Sequence, residues 1–181
     1  SGDFTYYMAE ALVSAVLDEG YEILEKYVGK DLEYKEYEPL FDFVSPKEKC
    51  WFVTCDTYVT LTDGTGIVHI APAFGEDDSR VCNKYDVSFI NLVDARGKMT
   101  EECGEFAGVF VKDADKLIIE DLNNRGLMFK VQEFTHSYPF CWRCNTPLIY
   151  YARSTWFIKM TAVRENLLKA NASVNWIPAT I

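Results

Sequence analysis

The sequence predicts an α+β domain in which many short strands build a twisted or barrel-like sheet accompanied by a few helices. Three observations predict it. Short β-branched and aromatic runs recur along the chain, separated by glycine and Asp-Gly turn signals. Helical periodicity is confined to a few stretches. Strands and helices do not alternate strictly, which argues against a doubly wound parallel fold. With 181 residues, 49% of them hydrophobic, the chain can bury one sizeable core.

The elements follow in order. Residues 4–8 read as a strand, and 9–17 as an amphipathic helix with Leu12, Val13, Val16 and Leu17 apolar and Gly20 closing it. Residues 21–28 alternate Tyr21, Ile23, Glu25 and Tyr27 against Glu22, Leu24, Lys26 and Val28, a strand pattern. A long β-rich run over 51–62 ends at Thr62-Asp63-Gly64, a hairpin-type turn signal. Residues 67–70 form a short strand whose alternation sends Val68 and Ile70 to one face and Ile67 and His69 to the other. Pro72 has no N–H to donate and ends the pairing, and Phe74-Gly75 bends the chain into a helix over 77–85. Further strands are expected over 89–93, 109–111 and 127–134. Leu117, Ile118 and Leu122 mark a helix over 115–124, stopped by Gly126. Residues 156–170 begin as strand and end as a second amphipathic helix.

Composition excludes several function classes. Asp and Glu number 28 against 18 Lys and Arg, a net charge of −10, so no surface is expected to grip DNA or generic RNA by neutralising phosphates. No apolar run reaches the length of a membrane span and no signal-peptide pattern opens the sequence, so no membrane partner and a cytoplasmic location are expected. Six cysteines are scattered as ordinary core residues would be. Only Cys141 and Cys144 are spaced to act together. Cys-x-x-Cys is half of a structural zinc site by spacing, and two reduced thiols or a disulfide are the other readings. Cys50 and Cys55, with four residues between them, could serve as a second pair by spacing alone.

Two residues of the central segment carry chemistry. His69 leaves its strand on a defined side, and Asp78 sits in the first turn of the helix that follows. A carboxylate there is favoured by the helix dipole and can either cap backbone N–H groups or reach a cationic ligand. His69 could equally be a satisfied core histidine. No nucleophile stands beside a base, so any hydrolysis would proceed by direct attack of water.

The run GTGIVHIAPAFGEDD (64–78), followed by YDVSFINLVDARGKMT (85–100) and HSYPFCWRC (136–144), resembles the editing domain inserted into isoleucyl-tRNA synthetases. The likeness extends over nearly all of the chain, to Trp176-Ile177-Pro178. Valyl and leucyl relatives have a Pro-Ala-His-Asp type sequence after the glycine turn; here Pro72-Ala73-Phe74-Gly75 stands there and the histidine comes earlier, at His69. The resemblance implies a distorted β-barrel with peripheral helices. It divides the chain into an editing core over 1–135 and a return segment over 136–181, which holds the Cys-x-x-Cys knuckle and a helix leading back to the catalytic core. It implies hydrolysis of valine wrongly attached to the isoleucine tRNA, within an enzyme that ligates isoleucine to tRNA with ATP. Asp78 would pair with the substrate's α-ammonium, His69 would exclude a longer side chain and help orient water, and Tyr138 would lie near the site. Editing would need no cofactor, with zinc possible in the full-length enzyme. The partners implied are the tRNA acceptor end with its aminoacyl-adenosine and the rest of the synthetase. The family's threonine-rich strand, of the form Thr-Thr-x-Pro-Trp-Thr-Leu-Pro, is not in this sequence, so the chain by itself carries part of the pocket. Two alternatives stand beside this reading: a non-catalytic module that positions the acceptor end, with a metal knuckle, and a valyl enzyme that edits threonine.

The charge balance makes a first prediction. The 181-residue chain alone will bind tRNA weakly, with a shallow dependence of log K on log salt in a filter-binding or anisotropy titration. Tight, steeply salt-sensitive binding would contradict the expectation.

Overall fold

Short extended segments, some joined to others by a few backbone hydrogen bonds, make up most of the described polypeptide. The structure is a computed structural model, and it describes residues 4–133 and 135–178. The chain divides into two units, Ser1–Tyr151 and Ala152–Ile181.

In the first unit, a 3₁₀ turn over Glu10–Leu12 runs into helix α1, Val13–Val16. This is the helix predicted over 9–17, and it buries Leu12. Ala9 donates its N–H to the Thr65 carbonyl at 2.8 Å, which ties the N-terminal segment to the glycine turn. Helix α2, Glu76–Lys84, lies one residue from its predicted bounds and buries Val81 and Cys82. A 3₁₀ turn over Glu101–Phe106 buries Cys103 and Phe106, and the rings of Phe41 and Phe43 meet Phe106 edge-on at 5.9 and 6.0 Å. Helix α3, Val111–Asn124, begins four residues before its predicted start. It ends as predicted at Gly126, whose φ of +68° lets Leu127 return its N–H to the Leu122 carbonyl.

The predicted strands do not assemble into ladders. Among the described residues no strand forms, and pairing is limited to four isolated antiparallel bridges, Glu36↔Phe52, Val93↔Met99, Lys98↔Phe110 and Phe140↔Pro147. The barrel-like sheet is accordingly not seen among them. The predicted runs over 51–62, 89–93 and 109–111 each contribute one bridging residue. Those over 4–8, 21–28 and 67–70 contribute none. The run over 127–134 forms no strand through residue 133, and Phe134 lies outside the described residues. The physical reason is the absence of neighbours. Residues 21–28 are exposed without exception, and among the described residues their only backbone bonds are those of Val28 to Asp31, so no second strand lies beside them. Alternation records a two-faced segment, but it does not supply the strand that would pair with it.

The tightest backbone arrangement joins three segments at Val93–Met99 and Lys98–Phe110. Asp94 and Lys98 pair through the Asp94 N–H at 2.8 Å, Met99 donates to Val109 at 2.9 Å, and Gly108 donates back to Met99 at 2.8 Å. The Asp94 carboxylate closes the turn by accepting from the N–H groups of Arg96 and Lys98 at 2.8 and 2.9 Å, and these bonds hold its carboxyl below its ordinary range. Gly97 completes the turn at φ +76°, and a Cβ there would stand 2.9 Å from both Phe110 and Ile149.

The second unit holds helix α4, Met160–Ala172, which corresponds to the later part of the run predicted over 156–170. The strand expected at its start does not form, and Trp156, Phe157 and Ile158 are 98%, 83% and 74% exposed.

Gly97→Ala combines a left-handed backbone with two close contacts. It is expected to destabilise the chain by roughly 1–3 kcal/mol in urea unfolding, whereas substitution of Gly29, which has open space around it, will have a smaller effect.

Candidate functional site

The segment after the glycine turn is shaped by one carboxylate. Ala71-Pro72-Ala73-Phe74 forms a turn closed by the Phe74 N–H on the Ala71 carbonyl at 3.0 Å, with Pro72 at the position its fixed φ suits. Gly75 then caps α2, and Ser79 makes the first helical bond to the Gly75 carbonyl at 2.9 Å. Asp78, on the first turn of α2, reaches back across this bend. Its Oδ2 accepts the Ala71 N–H at 2.9 Å and its Oδ1 accepts the Tyr58 hydroxyl at 3.3 Å. The approach is close enough that a Cβ on Gly75 would lie 2.8 Å from the Asp78 carboxyl carbon. Of the two uses of a first-turn carboxylate, backbone capping is therefore present, but it serves the turn before the helix and not the helix itself.

Charge is divided unevenly along α2. Glu76, Asp77 and Asp78 crowd its first turn. Arg80 spends its guanidinium on Asp56, with Nη1 to Oδ2 at 3.0 Å and Nη2 to Oδ1 at 2.9 Å, and on Asp77 at 3.0 Å. Lys84 stands 4.0 Å from Asp56. The Arg80 hydrogen bonds are the main cause that holds the Asp56 carboxyl down at about 2. Among the described residues no cation pairs with Asp78. Its two partners, the Ala71 N–H and the Tyr58 hydroxyl, are neutral donors, and the carboxylate sits half-buried. Burial first, and then the negative charge of Asp78, push the Tyr58 hydroxyl up to about 12, so it remains a proton donor throughout the neutral range.

His69 lies two residues before Ala71, exposed and with no hydrogen bond among the described residues, so the core-histidine reading does not apply. Ile67 and Val68 beside it are 47% and 48% exposed. His69 and Asp78 thus sit at the two ends of one short turn. The structure does not bring Tyr138 to them by any hydrogen bond or ring contact. Its hydroxyl donates to the Leu148 carbonyl at 2.6 Å, and Lys112 lies over its ring at 4.8 Å.

Cys141 and Cys144 flank a tight hairpin in which Asn145, at φ +55°, donates to the Cys141 carbonyl at 2.8 Å and Cys141 donates to Thr146 at 2.9 Å. The Cys144 sulfur is 3.0 Å from the Thr146 hydroxyl, whose hydrogen bond is the main cause that lowers its thiol. All six cysteines are free thiols. Among the described residues no third His, Cys, Asp or Glu gathers with this pair. Two donors do not make a four-coordinate zinc site, so the chain's own residues do not fit a structural zinc. Cys50 and Cys55 do not supply the missing pair; the Cys55 thiol donates instead to the Gly29 carbonyl at 3.3 Å.

Sequence reasoning missed Tyr58 and Asp56. Both lie in the run over 51–62, where neighbouring threonines gave the only polar signal and no motif marks either residue.

No family model matches the chain. It is 47% identical over 174 residues to an isoleucine–tRNA ligase of Clostridium novyi, a match covering 96% of this chain and 17% of that protein. Against the enzyme of Clostridium tetani it is 45% identical over 181 residues, 100% of this chain and 18% of the relative. Against the cytoplasmic isoleucine–tRNA ligase of Arabidopsis thaliana it is 50% identical over 169 residues, 90% and 14% respectively. The class defined by these matches is that of the aminoacyl-tRNA synthetases. Within it the chain belongs to the isoleucyl-tRNA synthetase family, and it spans less than a fifth of the length of these curated relatives.

The Asp56–Arg80 pair makes the fold sensitive to acid. The folded carboxyl titrates at about 2, below the ordinary unfolded value of about 3.9, so its stabilisation is complete above that value and is lost as pH falls from about 4 towards 2. The denaturation midpoint is expected to drop across that window, and Asp56→Asn should flatten the drop.

Proposed function

We propose that this chain is the editing region of an isoleucyl-tRNA synthetase, where it hydrolyses valine from mischarged isoleucine tRNA. The observation that carries the reading is the half-buried Asp78 carboxylate, oriented by two neutral donors and left without a cationic partner, across a short turn from an exposed imidazole. An aminoacyl ester always bears a free α-ammonium, and an uncompensated carboxylate is the group that recognises it. The whole enzyme would ligate isoleucine to tRNA, as the names of the relatives support, and would do so with ATP in the cytoplasm. The need for a second step is energetic. One methylene is worth about 1–3 kcal/mol in a hydrophobic pocket, and isoleucine against valine is the usual illustration of that limit.

In this reading Asp78 holds the ammonium while His69 limits the side chain and helps orient water. The water oxygen attacks the ester carbonyl carbon, the bond to the ribose oxygen breaks, and valine and a free 3′-terminal adenosine leave after proton transfer to that oxygen. No covalent enzyme intermediate is needed. The tRNA body would be held by other parts of the synthetase, consistent with the −10 charge of this chain. Those parts would also supply the threonine-rich strand, the rest of the barrel-like sheet, and any further ligands with which Cys141 and Cys144 could hold zinc. Tyr138 would stand near the acceptor end, as the family resemblance implies.

The test is deacylation of valyl-tRNA specific for isoleucine by the full-length synthetase. Asp78→Ala is expected to lower kcat/KM by roughly 10- to 100-fold, the size of a lost hydrogen bond to a charged group. His69→Ala should let the enzyme deacylate isoleucyl-tRNA, which the unaltered enzyme spares. Unchanged deacylation in the Asp78 variant would leave the non-catalytic, acceptor-positioning role instead.

A further inference from the structure

We infer that Tyr58 is a positioning residue for ammonium recognition, holding the Asp78 carboxylate in one orientation without neutralising it. The inference rests on the editing reading above and adds a residue to it. A carboxylate turns easily about its Cβ–Cγ bond, a broad torsion with weak preferences. Here each oxygen has its own donor: the Ala71 N–H holds Oδ2 at 2.9 Å and the Tyr58 hydroxyl, from a separate segment of the chain, holds Oδ1 at 3.3 Å. Two donors on two oxygens fix the plane of the group.

The type of donor matters as much as its position. A lysine or arginine at this place would hold the carboxylate equally well and cancel the charge that a substrate ammonium needs. The phenol brings a hydrogen and no charge. Its proton is secure, because burial and the neighbouring Asp78 push its ionisation far above neutrality. The nearest guanidinium on α2, that of Arg80, is meanwhile committed to Asp56 and Asp77. Each carboxylate oxygen has a second lone pair for an incoming N–H. Tyr58 is half-buried, and its hydroxyl is directed to Asp78.

The experiment compares two non-hydrolysable ligands on the full-length synthetase by calorimetric titration. One is adenosine carrying valine in a 3′-amide link, with its α-ammonium. The other is the matched 2-hydroxy-isovaleryl amide, with a hydroxyl in place of the ammonium. Tyr58→Phe is expected to weaken the valyl ligand by roughly 5- to 10-fold, the range of one hydrogen bond that supports a charged group, and to leave the hydroxy ligand within about twofold. Asp78→Asn should abolish the preference for the ammonium altogether. If Tyr58→Phe weakens both ligands equally, or neither, the positioning role is overturned while a selective loss in Asp78→Asn keeps the editing reading intact. If Asp78→Asn also leaves the preference unchanged, the editing reading itself fails.

Discussion

Loops that pair too sparsely to form a sheet must be held by something else, and in this chain the polar side chains of one nine-residue helix hold them. From α2, Asp78 takes the Ala71 N–H and the Tyr58 hydroxyl, and Arg80 takes Asp56. At the end of the helix, Tyr85 donates to Glu33 at 2.5 Å and to the Cys55 carbonyl at 3.0 Å, and accepts the Cys55 N–H at 3.1 Å. Segments around residues 33, 55, 58 and 71 are thereby fastened to one rigid element. The apolar side of the same helix, Val81 and Cys82, forms part of the small core. A helix dipole that favours acids in the first turn and a base in the last reinforces this arrangement, with Glu76, Asp77 and Asp78 at one end and Lys84 at the other.

The same helix separates two kinds of carboxylate. Asp56 meets the two terminal nitrogens of one guanidinium end-on, so its charge is paired within the chain. Asp78, of the same chemical type and joined to the same helix, has only neutral partners. A half-buried anion of this sort is tolerated because hydrogen bonds replace part of its hydration. What it lacks among the described residues is a counter-ion, the property on which the proposed ammonium recognition rests. The Asp78 bond to the Ala71 N–H also braces the turn that follows His69 in the chain.

How much of this was legible in the sequence depended on the range over which each feature is determined. Helix α2 and helix α3 were legible because a helix satisfies its own backbone and its stops, Gly75 and Gly126, lie beside it in sequence. The place of Asp78 in the first turn of α2 was legible because the bend at Phe74-Gly75 lies beside it in sequence. Strands were not, because a ladder depends on partners that alternation cannot name; residues 21–28 alternate well and stand entirely exposed. Tyr58 escaped notice for a related reason. Its partner is 20 residues away, and nothing in the intervening Thr-rich run signals the contact. Cys141 and Cys144 show the converse case, a clear local spacing whose completion needs donors that the described residues do not provide.

The absence of a side chain at Gly75 gives the motif an indivisible character. Because a Cβ there would intrude on the Asp78 carboxyl at 2.8 Å, the glycine and the aspartate three residues later cannot vary independently. Any engineer who wishes to vary this turn must therefore change Gly75 and Asp78 together, whereas exposed His69, which touches neither by a hydrogen bond, can be altered alone.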